Sequence, residues 1–265
     1  MGIYDLTRSS TRGLIAGLCR PTVEGLANVP ADGPLIVAAN HLSFLDSVLI
    51  QALMPRPVAF FAKAEYFTGR GIKGRAMRSF FEGVGSIPVE RGQQAASVQA
   101  LKTLHELLEG GNGIGIYPEG TRSRDGLLYR GRTGVGWLAL TTGAPVLPVG
   151  LIGTENLQPA GQKRIKPQHF TMKIGVPLYF EKTGPGHSLP ARRHATDTIM
   201  DSIAALSGQQ RSTSYNQSPV LEEWLTPAAT GPRPAKFHST LASTGSGTSI
   251  RGWSTSGRPR TSGPG

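Results

Sequence analysis

Short aliphatic runs alternate with helical segments along most of the sequence, and this alternation limits the folds that the chain can adopt. The clearest run, Leu35–Ala39, is short and aliphatic, which is typical of a buried strand. The clearest helical segment is Gln93–Glu109, where leucines recur at helical spacing before Gly110 and Gly111. Strands that alternate with helices predict an α/β fold: a single layered domain with a mostly parallel central sheet flanked by helices.

The remaining elements follow from the same periodicities. Further strands are predicted at 22–26, 57–63, 85–92, 113–117, 144–153 and 170–176. Further helices are predicted at 5–20, 43–50, 65–81, 133–142 and 189–206. Ser43 is the predicted N-cap of the helix at 43–50, and Ser188 is the predicted N-cap of the last helix, with Pro190 in its first turn.

The composition changes near Trp224, where Pro, Gly, Ser and Thr become dominant. The charged residues beyond this point are all basic. Such a segment cannot bury enough apolar surface to offset the entropy that ordering would cost. We therefore expect a folded domain over residues 1–225 and a disordered basic tail over residues 226–265.

The charge balance predicts anionic partners, because 28 Lys and Arg residues stand against 17 acidic residues, a formal net charge of +11. Nucleic acid is not expected, since aromatic residues make up only 7% of the chain and no recognition helix studded with Lys and Arg is present. Basic and apolar residues mix at 5–20 and 65–81, which favours contact with an anionic membrane surface. The alternative for both segments is a helix packed on the domain.

The single cysteine, Cys19, excludes an intrachain disulfide and any multi-cysteine metal site, and it fits a reducing compartment. We expect no metal centre. No apolar run approaches the ~18 residues that a bilayer-spanning helix needs. The N-terminus also lacks the basic and apolar regions of a signal peptide.

Chemistry is predicted at the corner where the strand Leu35–Ala39 leads into the next helix, because Asn40 and His41 stand there. Side chains at such corners of α/β folds face a crevice. Asp46 follows His41 with four residues between them and can turn back toward the imidazole. A carboxylate bonded to one ring nitrogen fixes the tautomer, so that the other nitrogen can act as a base near neutral pH. The alternative for His41 is a capping role at the start of the helix.

Three more polar sites follow predicted strands. They are Lys63, the pair Glu90 and Arg91, and the run Glu119, Gly120, Thr121 and Arg122. In a parallel sheet these strand ends converge on one edge. Arginine suits bidentate phosphate recognition and lysine suits it as a point charge, although each arginine alone is more often a surface residue. Together the sites predict deprotonation of a hydroxyl on a phosphorylated substrate, followed by attack on an activated electrophile.

Four blocks carry a resemblance to a known family. They are Asn40-His41-Leu42-Ser43-Phe44-Leu45-Asp46, Gly85 to Arg91, Pro118-Glu119-Gly120-Thr121-Arg122-Ser123 and Val146-Leu147-Pro148-Val149-Gly150. In this order the blocks resemble the motifs of the glycerol-phosphate and lysophosphatidate acyltransferase family. The resemblance covers roughly the whole predicted domain, and four motifs in order are highly specific.

The resemblance implies a role for each block. His41 and Asp46 would be the catalytic pair. The substrate phosphate would be bound by Arg91, by Glu119, Gly120, Thr121 and Arg122, and more loosely by Lys63. The acyl-donor site would be shaped by Val146, Pro148 and Val149. The family implies transfer of a fatty acyl group from acyl-CoA or acyl carrier protein to lysophosphatidate, which makes phosphatidate, with no cofactor besides this co-substrate.

Two alternatives remain open. A lysophospholipid acyltransferase or transacylase with another acceptor would use the same His41–Asp46 pair. A non-catalytic basic protein that binds lipid or membrane would need neither residue. Lipid substrates, the positive charge and the lack of an apolar span together predict a cytoplasmic protein, associated peripherally with the inner face of the membrane.

Overall fold

The computed structural model describes residues 3–89, 94–159, 162, 164–184 and 186–216, apart from the side chains of residues 3–5, 63, 89 and 94–97. The chain divides into two compact units, Met1–Glu223 and Trp224–Gly265. All the described residues belong to the first unit. The predicted tail at 226–265 lies outside the described residues, and so do Glu90 and Arg91.

Strands and helices alternate in the described part of the chain, as the sequence predicts. The strands are β1 (Thr22–Glu24), β2 (Leu35–Ala39), β3 (Phe61–Lys63), β4 (Ile87–Val89), β5 (Gly113–Ile116), β6 (Val146–Ile152) and β7 (Thr171–Ile174). The helices are α1 (Ile3–Cys19), α2 (Asp46–Leu53), α3 (Glu65–Thr68), α4 (Gly71–Gly83), α5 (Gln94–Glu109), α6 (Gly134–Thr142) and α7 (Leu189–Ser207). Among the described residues, no helix has the length and apolar character needed to cross a membrane.

Five strands form the main sheet in the order β1-β7-β6-β2-β5. Strand β6 pairs antiparallel with β7, and the other neighbouring pairs of this sheet are parallel. Strands β3 and β4 form a separate parallel pair. Ala59, just before β3, pairs with Ile114 of β5, so the small sheet continues from the edge of the main one. The predicted α/β fold with a mostly parallel sheet is confirmed.

Strand β2 is buried on both faces, which explains its uninterrupted aliphatic sequence. Leu35, Val37 and Ala39 pack into a core shared with α1 and α2. Ile36 and Ala38 pack into a second core shared with α5, α6 and α7. Because alternate residues of a strand point to opposite faces, one short run serves both cores. Because β2 is anchored in both cores, the position of the corner that follows Ala39 is fixed.

The helix predicted to begin at Ser43 begins instead at Asp46. The Asp46 carboxylate accepts hydrogen bonds from the backbone N–H groups of Leu42 and Ser43, so residues 42–45 form a turn around it. Ser43 is not the N-cap; its Oγ accepts a bond from the N–H of Leu45 at 3.3 Å. That prediction was wrong because charge-assisted hydrogen bonds from the N–H groups of Leu42 and Ser43 to the Asp46 carboxylate hold residues 42–45 in a turn, and the helix begins after it. Ser188 does cap α7, accepting from the N–H of Ala191.

Candidate active site

The side chain of Asn40 fastens the end of β2 to β6. Its Oδ1 accepts from the backbone N–H of Leu151 at 2.7 Å, and its Nδ2 donates to the Leu151 carbonyl at 2.9 Å. Nδ2 also donates to Oε1 of Gln209 at 2.7 Å. Both polar atoms of this fully buried amide are therefore paired, and the backbone that leads to His41 is held in one position.

His41 and Asp46 form a buried pair at this corner. Nδ1 of His41 lies 2.9 Å from Oδ2 of Asp46. His41 is 8% exposed and Asp46 is 0% exposed. A carboxylate can only accept hydrogen bonds, so Nδ1 carries a proton, and in the neutral ring Nε2 has the lone pair that a general base needs. The contact that the sequence spacing predicts is present.

The turn before α2 orients the carboxylate of Asp46. Oδ2 accepts from the N–H of Leu42 and from the N–H of Ser43, both at 2.7 Å, in addition to the imidazole. Oδ1 is buried and has no hydrogen-bond partner among the described residues. The donors all converge on one oxygen, and the carboxylate is thereby held in a single orientation toward His41.

Glu119 ties the loop after β5 to the backbone of His41. Its Oε1 accepts from the N–H of His41 at 3.2 Å, and its Oε2 accepts from the N–H of Tyr129 at 2.9 Å. The carbonyl of His41 accepts from the N–H of Ser123 at 2.8 Å. Burial raises the pKa of Glu119 to about 7, against the opposing effect of its two backbone hydrogen bonds. Both oxygens of this carboxylate are thus engaged inside the protein, so its predicted contact with phosphate stays a prediction.

Tyr117 belongs to the site, although the sequence analysis did not identify it. Its ring stacks on the imidazole of His41, with the centroids 3.8 Å apart and 7° between the planes. Its hydroxyl lies 3.1 Å from Oγ of Ser47. A stacked ring fixes the imidazole plane, and its face attracts a positive charge on that imidazole. The sequence did contain one signal that could have identified it. Tyr117 directly follows β5 and His41 stands just after β2, so both residues lie at the same edge of the sheet.

A cavity opens beside His41, with a polar part and an apolar part in its wall. The polar lining residues are His41, Ser47, Ser86 and Arg122, and the mainly apolar ones are Phe44, Val48, Phe61, Ala62, Tyr66 and Phe81. Its empty space, including the part open to solvent, is about 510 Å³. Several of the apolar residues belong to a small cluster around Phe81 of α4. This division suits a ligand with a charged group and a hydrocarbon chain.

Arg122 lines the cavity, whereas the other predicted phosphate-binding residues of its loop, Glu119, Gly120 and Thr121, do not. Gly120 has φ +79°, a left-handed conformation that favours glycine, and it turns the chain between Glu119 and Arg122. Thr121 is half-buried in that turn. Lys63 ends β3, but its side chain lies outside the described part, as does the whole of Arg91. Their binding roles stay predictions.

The residues predicted to shape the acyl-donor site lie in the interior of the main sheet. Val146, Pro148 and Val149 are buried in β6, between β2 and β7. Val149 pairs with Ala39 of β2. None of the three lines the cavity. Their predicted role in the acyl-donor site stays a prediction.

The fold and the site together define the class of protein. It is an α/β protein with an imidazole–carboxylate pair, suited to proton transfer, at the edge of the sheet where the parallel strands end. In the described part of the chain, no group of three or more His, Cys, Asp or Glu side chains is arranged to hold a metal ion. A family profile described as Acyltransferase matches residues 20–152, half of the chain. The chain belongs to the acyltransferase family.

The chain is also similar to individual proteins. It is 35% identical over 163 residues to a chloroplastic 1-acyl-sn-glycerol-3-phosphate acyltransferase of Brassica napus, and 36% identical over 144 residues to one of Arabidopsis thaliana. These matches cover 60% and 54% of this chain but only 45% and 39% of the plant proteins, so the chain spans less than half of their length. The crystal structure of the 1-acyl-sn-glycerophosphate acyltransferase PlsC from Thermotoga maritima is similar with a TM-score of 0.60 and 28% identity, covering 77% of this chain and 79% of that one.

Proposed function

We propose that this chain transfers a fatty acyl group from acyl-CoA or acyl carrier protein to the free hydroxyl of lysophosphatidate, making phosphatidate for phospholipid synthesis. The observation that carries the proposal is the His41–Asp46 pair in the wall of a cavity that also presents Arg122 and an apolar surface. The names of the similar plant and bacterial proteins support the same reaction.

His41 is the general base of the proposed reaction. Its Nε2 takes the proton from the acceptor hydroxyl while the hydroxyl oxygen attacks the thioester carbonyl. Asp46 keeps the other proton on Nδ1 and stabilises the imidazolium that forms. The tetrahedral intermediate then collapses, the C–S bond breaks, and the imidazolium returns the proton to the departing thiolate. Each turnover yields one ester and one thiol and restores neutral His41.

Arg122 binds the acceptor phosphate in this proposal. A guanidinium can donate two parallel hydrogen bonds to a phosphate, and Arg122 shares the cavity wall with His41. Arg91 and Lys63 would add further positive charge in this proposal. The apolar part of the wall receives the acyl chain of the lysophospholipid. These contacts supply orientation rather than chemistry, because they place the hydroxyl next to Nε2.

We also propose that the protein is cytoplasmic and binds the inner face of the membrane peripherally, through α1 and α4. The two helices pack together, since Gly83 of α4 lies so close to Thr7 of α1 that a side chain at position 83 would collide with it. Both helices carry large apolar side chains that are exposed: Leu6, Leu14 and Leu18 on α1, and Ile72 and Met77 on α4. Exposed apolar residues on adjoining helices support insertion into a lipid surface.

Basic residues accompany these exposed apolar side chains. Arg12 on α1 is exposed, and so are Lys73 and Arg75 on α4. Lys and Arg near an anionic bilayer contribute about 1 kcal/mol each to binding. Phe81 of the same α4 lines the cavity beside His41. A lipid acceptor can therefore pass from the membrane surface to the base along one helix.

The test is an assay of the full chain with a fatty acyl thioester and lysophosphatidate. We expect phosphatidate and free thiol in equal amounts, measured by mass spectrometry and a thiol reagent. His41→Ala should lower the rate about 10²- to 10⁴-fold, the usual contribution of a general base. His194→Ala, at an exposed histidine of α7, is the matched control and should leave the rate unchanged.

Two results would contradict the proposal. Thiol release at the wild-type rate in His41→Ala would remove the base from the mechanism. Acylation of another lysophospholipid but not of lysophosphatidate would favour the alternative acceptor instead.

A further inference from the structure

Residues 208–216, which follow α7, form a segment that we call the strap. It begins at Gly208, whose φ of +70° ends the helix and turns the chain. The strap lies outside the residues that the family profile matches. The sequence carries no recognisable motif there, and its role follows only from what it contacts.

The backbone of the strap is bonded to the loop that carries Arg122. The N–H of Leu128 donates to the carbonyl of Gln210, and the N–H of Ser212 donates to the carbonyl of Leu128, each at 2.9 Å. The N–H of Arg130 donates to the carbonyl of Ser214 at the same distance. The strap thus runs beside residues 128–130, which follow directly on the segment 119–126.

Asn216 reaches the two carbonyls at the phosphate-binding turn. Its Nδ2 donates to the carbonyl of Arg122 at 3.0 Å and to that of Thr121 at 3.5 Å. Asn216 is only 8% exposed, so these bonds form away from competing water. Nη2 of Arg132 donates to the backbone carbonyl of Asn216 at 3.5 Å. The backbone that carries the Arg122 side chain is therefore held by a residue 94 positions later in the sequence.

Gln209 joins the same loop to the corner that holds His41. Its Oε1 accepts from Nδ2 of Asn40, next to His41, and its Nε2 donates to the carbonyl of Gly126 at 2.8 Å. One amide thus bridges the end of β2 and the far end of the loop that contains Arg122. Between them, the side chains of Asn216 and Gln209 contact the loop that contains Arg122 and the corner that holds His41. Neither side chain lines the cavity.

Tyr215 anchors the strap between these contacts. The guanidinium carbons of Arg130 and Arg132 lie 5.3 Å and 5.6 Å from the centroid of its ring. Nη1 of Arg193 donates to its hydroxyl at 3.4 Å. Cation–π contacts of this kind add to the hydrogen bonds on either side.

We propose that the strap sets the position of Arg122 relative to His41, with Asn216 and Gln209 as positioning residues for the phosphorylated acceptor. This inference rests on the proposed function for its kinetic consequence. A displacement of about 1 Å in a positioning group can change a rate by about a hundredfold, so loss of the Asn216 bonds should weaken use of the acceptor. The acyl thioester does not depend on Arg122 in this scheme.

The experiment uses full-length Asn216→Leu, which keeps the branching and the number of side-chain heavy atoms and removes the amide. We expect the KM for lysophosphatidate to rise about tenfold, while kcat and the KM for the acyl thioester change less than about threefold. Gln209→Leu should raise the same KM by a smaller factor, because Gly126 is four residues beyond Arg122. Gln210→Ala is the matched control, since Gln210 is the exposed neighbour of Gln209 and should behave as wild type.

Hydrogen exchange measures positioning without any assay of activity. In Asn216→Leu the backbone N–H of Ser123, which bonds to the His41 carbonyl, should exchange at least about tenfold faster, while amides of β2 keep the wild-type rate. Equal acceleration throughout the sheet would mean a general loss of stability and would overturn the inference. So would an unchanged acceptor KM in both strap variants of an active enzyme. If the wild-type chain shows no acyl transfer, the proposed function fails, and unchanged exchange at Ser123 would overturn the strap inference separately.

Discussion

The ring of Tyr117 lies flat against the imidazole of His41, with the two centroids 3.8 Å apart. This contact joins the residue after β5 to the histidine that stands just after β2. In the proposed reaction the stacked face would stabilise the imidazolium that forms on His41, and the stack keeps the ring plane fixed while Asp46 bonds to Nδ1.

Tyr117→Phe and Tyr117→Leu separate the ring face from the hydroxyl. We expect kcat to fall about three- to tenfold in Tyr117→Leu, because a stacked aromatic pair contributes about 0.5–1.5 kcal/mol. Tyr117→Phe keeps the stack and removes the hydroxyl that lies 3.1 Å from Oγ of Ser47, so its kcat should stay within about twofold of wild type. Equal losses of kcat in the two variants would show that the hydroxyl, and not the ring face, matters.

Asp46→Asn tests the orientation of the imidazole. The amide oxygen can replace only one oxygen of the carboxylate, and its NH₂ group adds donors beside the N–H groups of Leu42 and Ser43. We expect kcat to fall about 10³- to 10⁴-fold, as expected when the carboxylate that fixes a catalytic histidine is lost. The measurement is steady-state kinetics with saturating substrates. Wild-type kcat in a folded Asp46→Asn variant would argue against the pair.

Arg122→Ala and Arg124→Ala form a matched pair in one loop. Both arginines are exposed, but Arg122 lines the cavity and Arg124 does not. Loss of a charge-assisted contact with phosphate should raise the acceptor KM about tenfold or more in Arg122→Ala, with little change in Arg124→Ala. The KM for the acyl thioester is measured alongside. Similar acceptor KM values in the two variants would remove Arg122 from the phosphate site.

The stability of the folded chain should depend on pH through Glu119. Burial raises the pKa of Glu119 from 4.5 to about 7, so between these values the folded chain keeps a proton that the unfolded chain has lost. The stabilising contribution is therefore complete below about pH 4.5 and disappears as the pH rises through about 7. The loss amounts to at most about 4 kcal/mol, because the pKa differs by about 2.5 between the two states and one pKa unit corresponds to about 1.4 kcal/mol.

Urea unfolding of wild type and Glu119→Gln between pH 4 and pH 8 measures this effect. Glutamine does not titrate, so the free energy of unfolding of the variant should fall less over this range. Glutamine also offers one carbonyl oxygen to two backbone donors, His41 and Tyr129, so the variant should be less stable than wild type at low pH. Parallel pH profiles for the two proteins would contradict the buried-carboxylate effect.

Membrane binding should depend on the exposed apolar residues of α1 and α4. Leu14→Glu and Ile72→Glu place a charge at side chains that are 62% and 80% exposed, so each should reduce binding to anionic vesicles without unfolding the chain. Val176→Glu, at an exposed residue outside both helices, is the control. Flotation at low and high salt reads out the binding, and high salt should weaken it for the wild type. If Val176→Glu weakens binding as much as the other two, the assignment to α1 and α4 is wrong.

The position of the His41–Asp46 pair could be predicted, because its signals are local. The strand Leu35–Ala39 is identified by its own aliphatic residues, and Asp46 is close enough to His41 in sequence for its carboxylate to return to the imidazole. The start of α2 could not be predicted from capping preferences, since the turn before it is held by the Asp46 carboxylate, which accepts from the backbone N–H groups of Leu42 and Ser43.

The sequence by itself determined the α/β alternation, the burial of β2 and the pairing of His41 with Asp46. Each of these depends on hydrophobic periodicity or on residues a few positions apart. Only the tertiary structure decided that Glu119 supports the His41 backbone across 78 positions and that Asn216 reaches Arg122 across 94. Such contacts depend on which strands become neighbours and where the chain returns after α7. Packing of the whole domain sets that arrangement, and no local pattern records it.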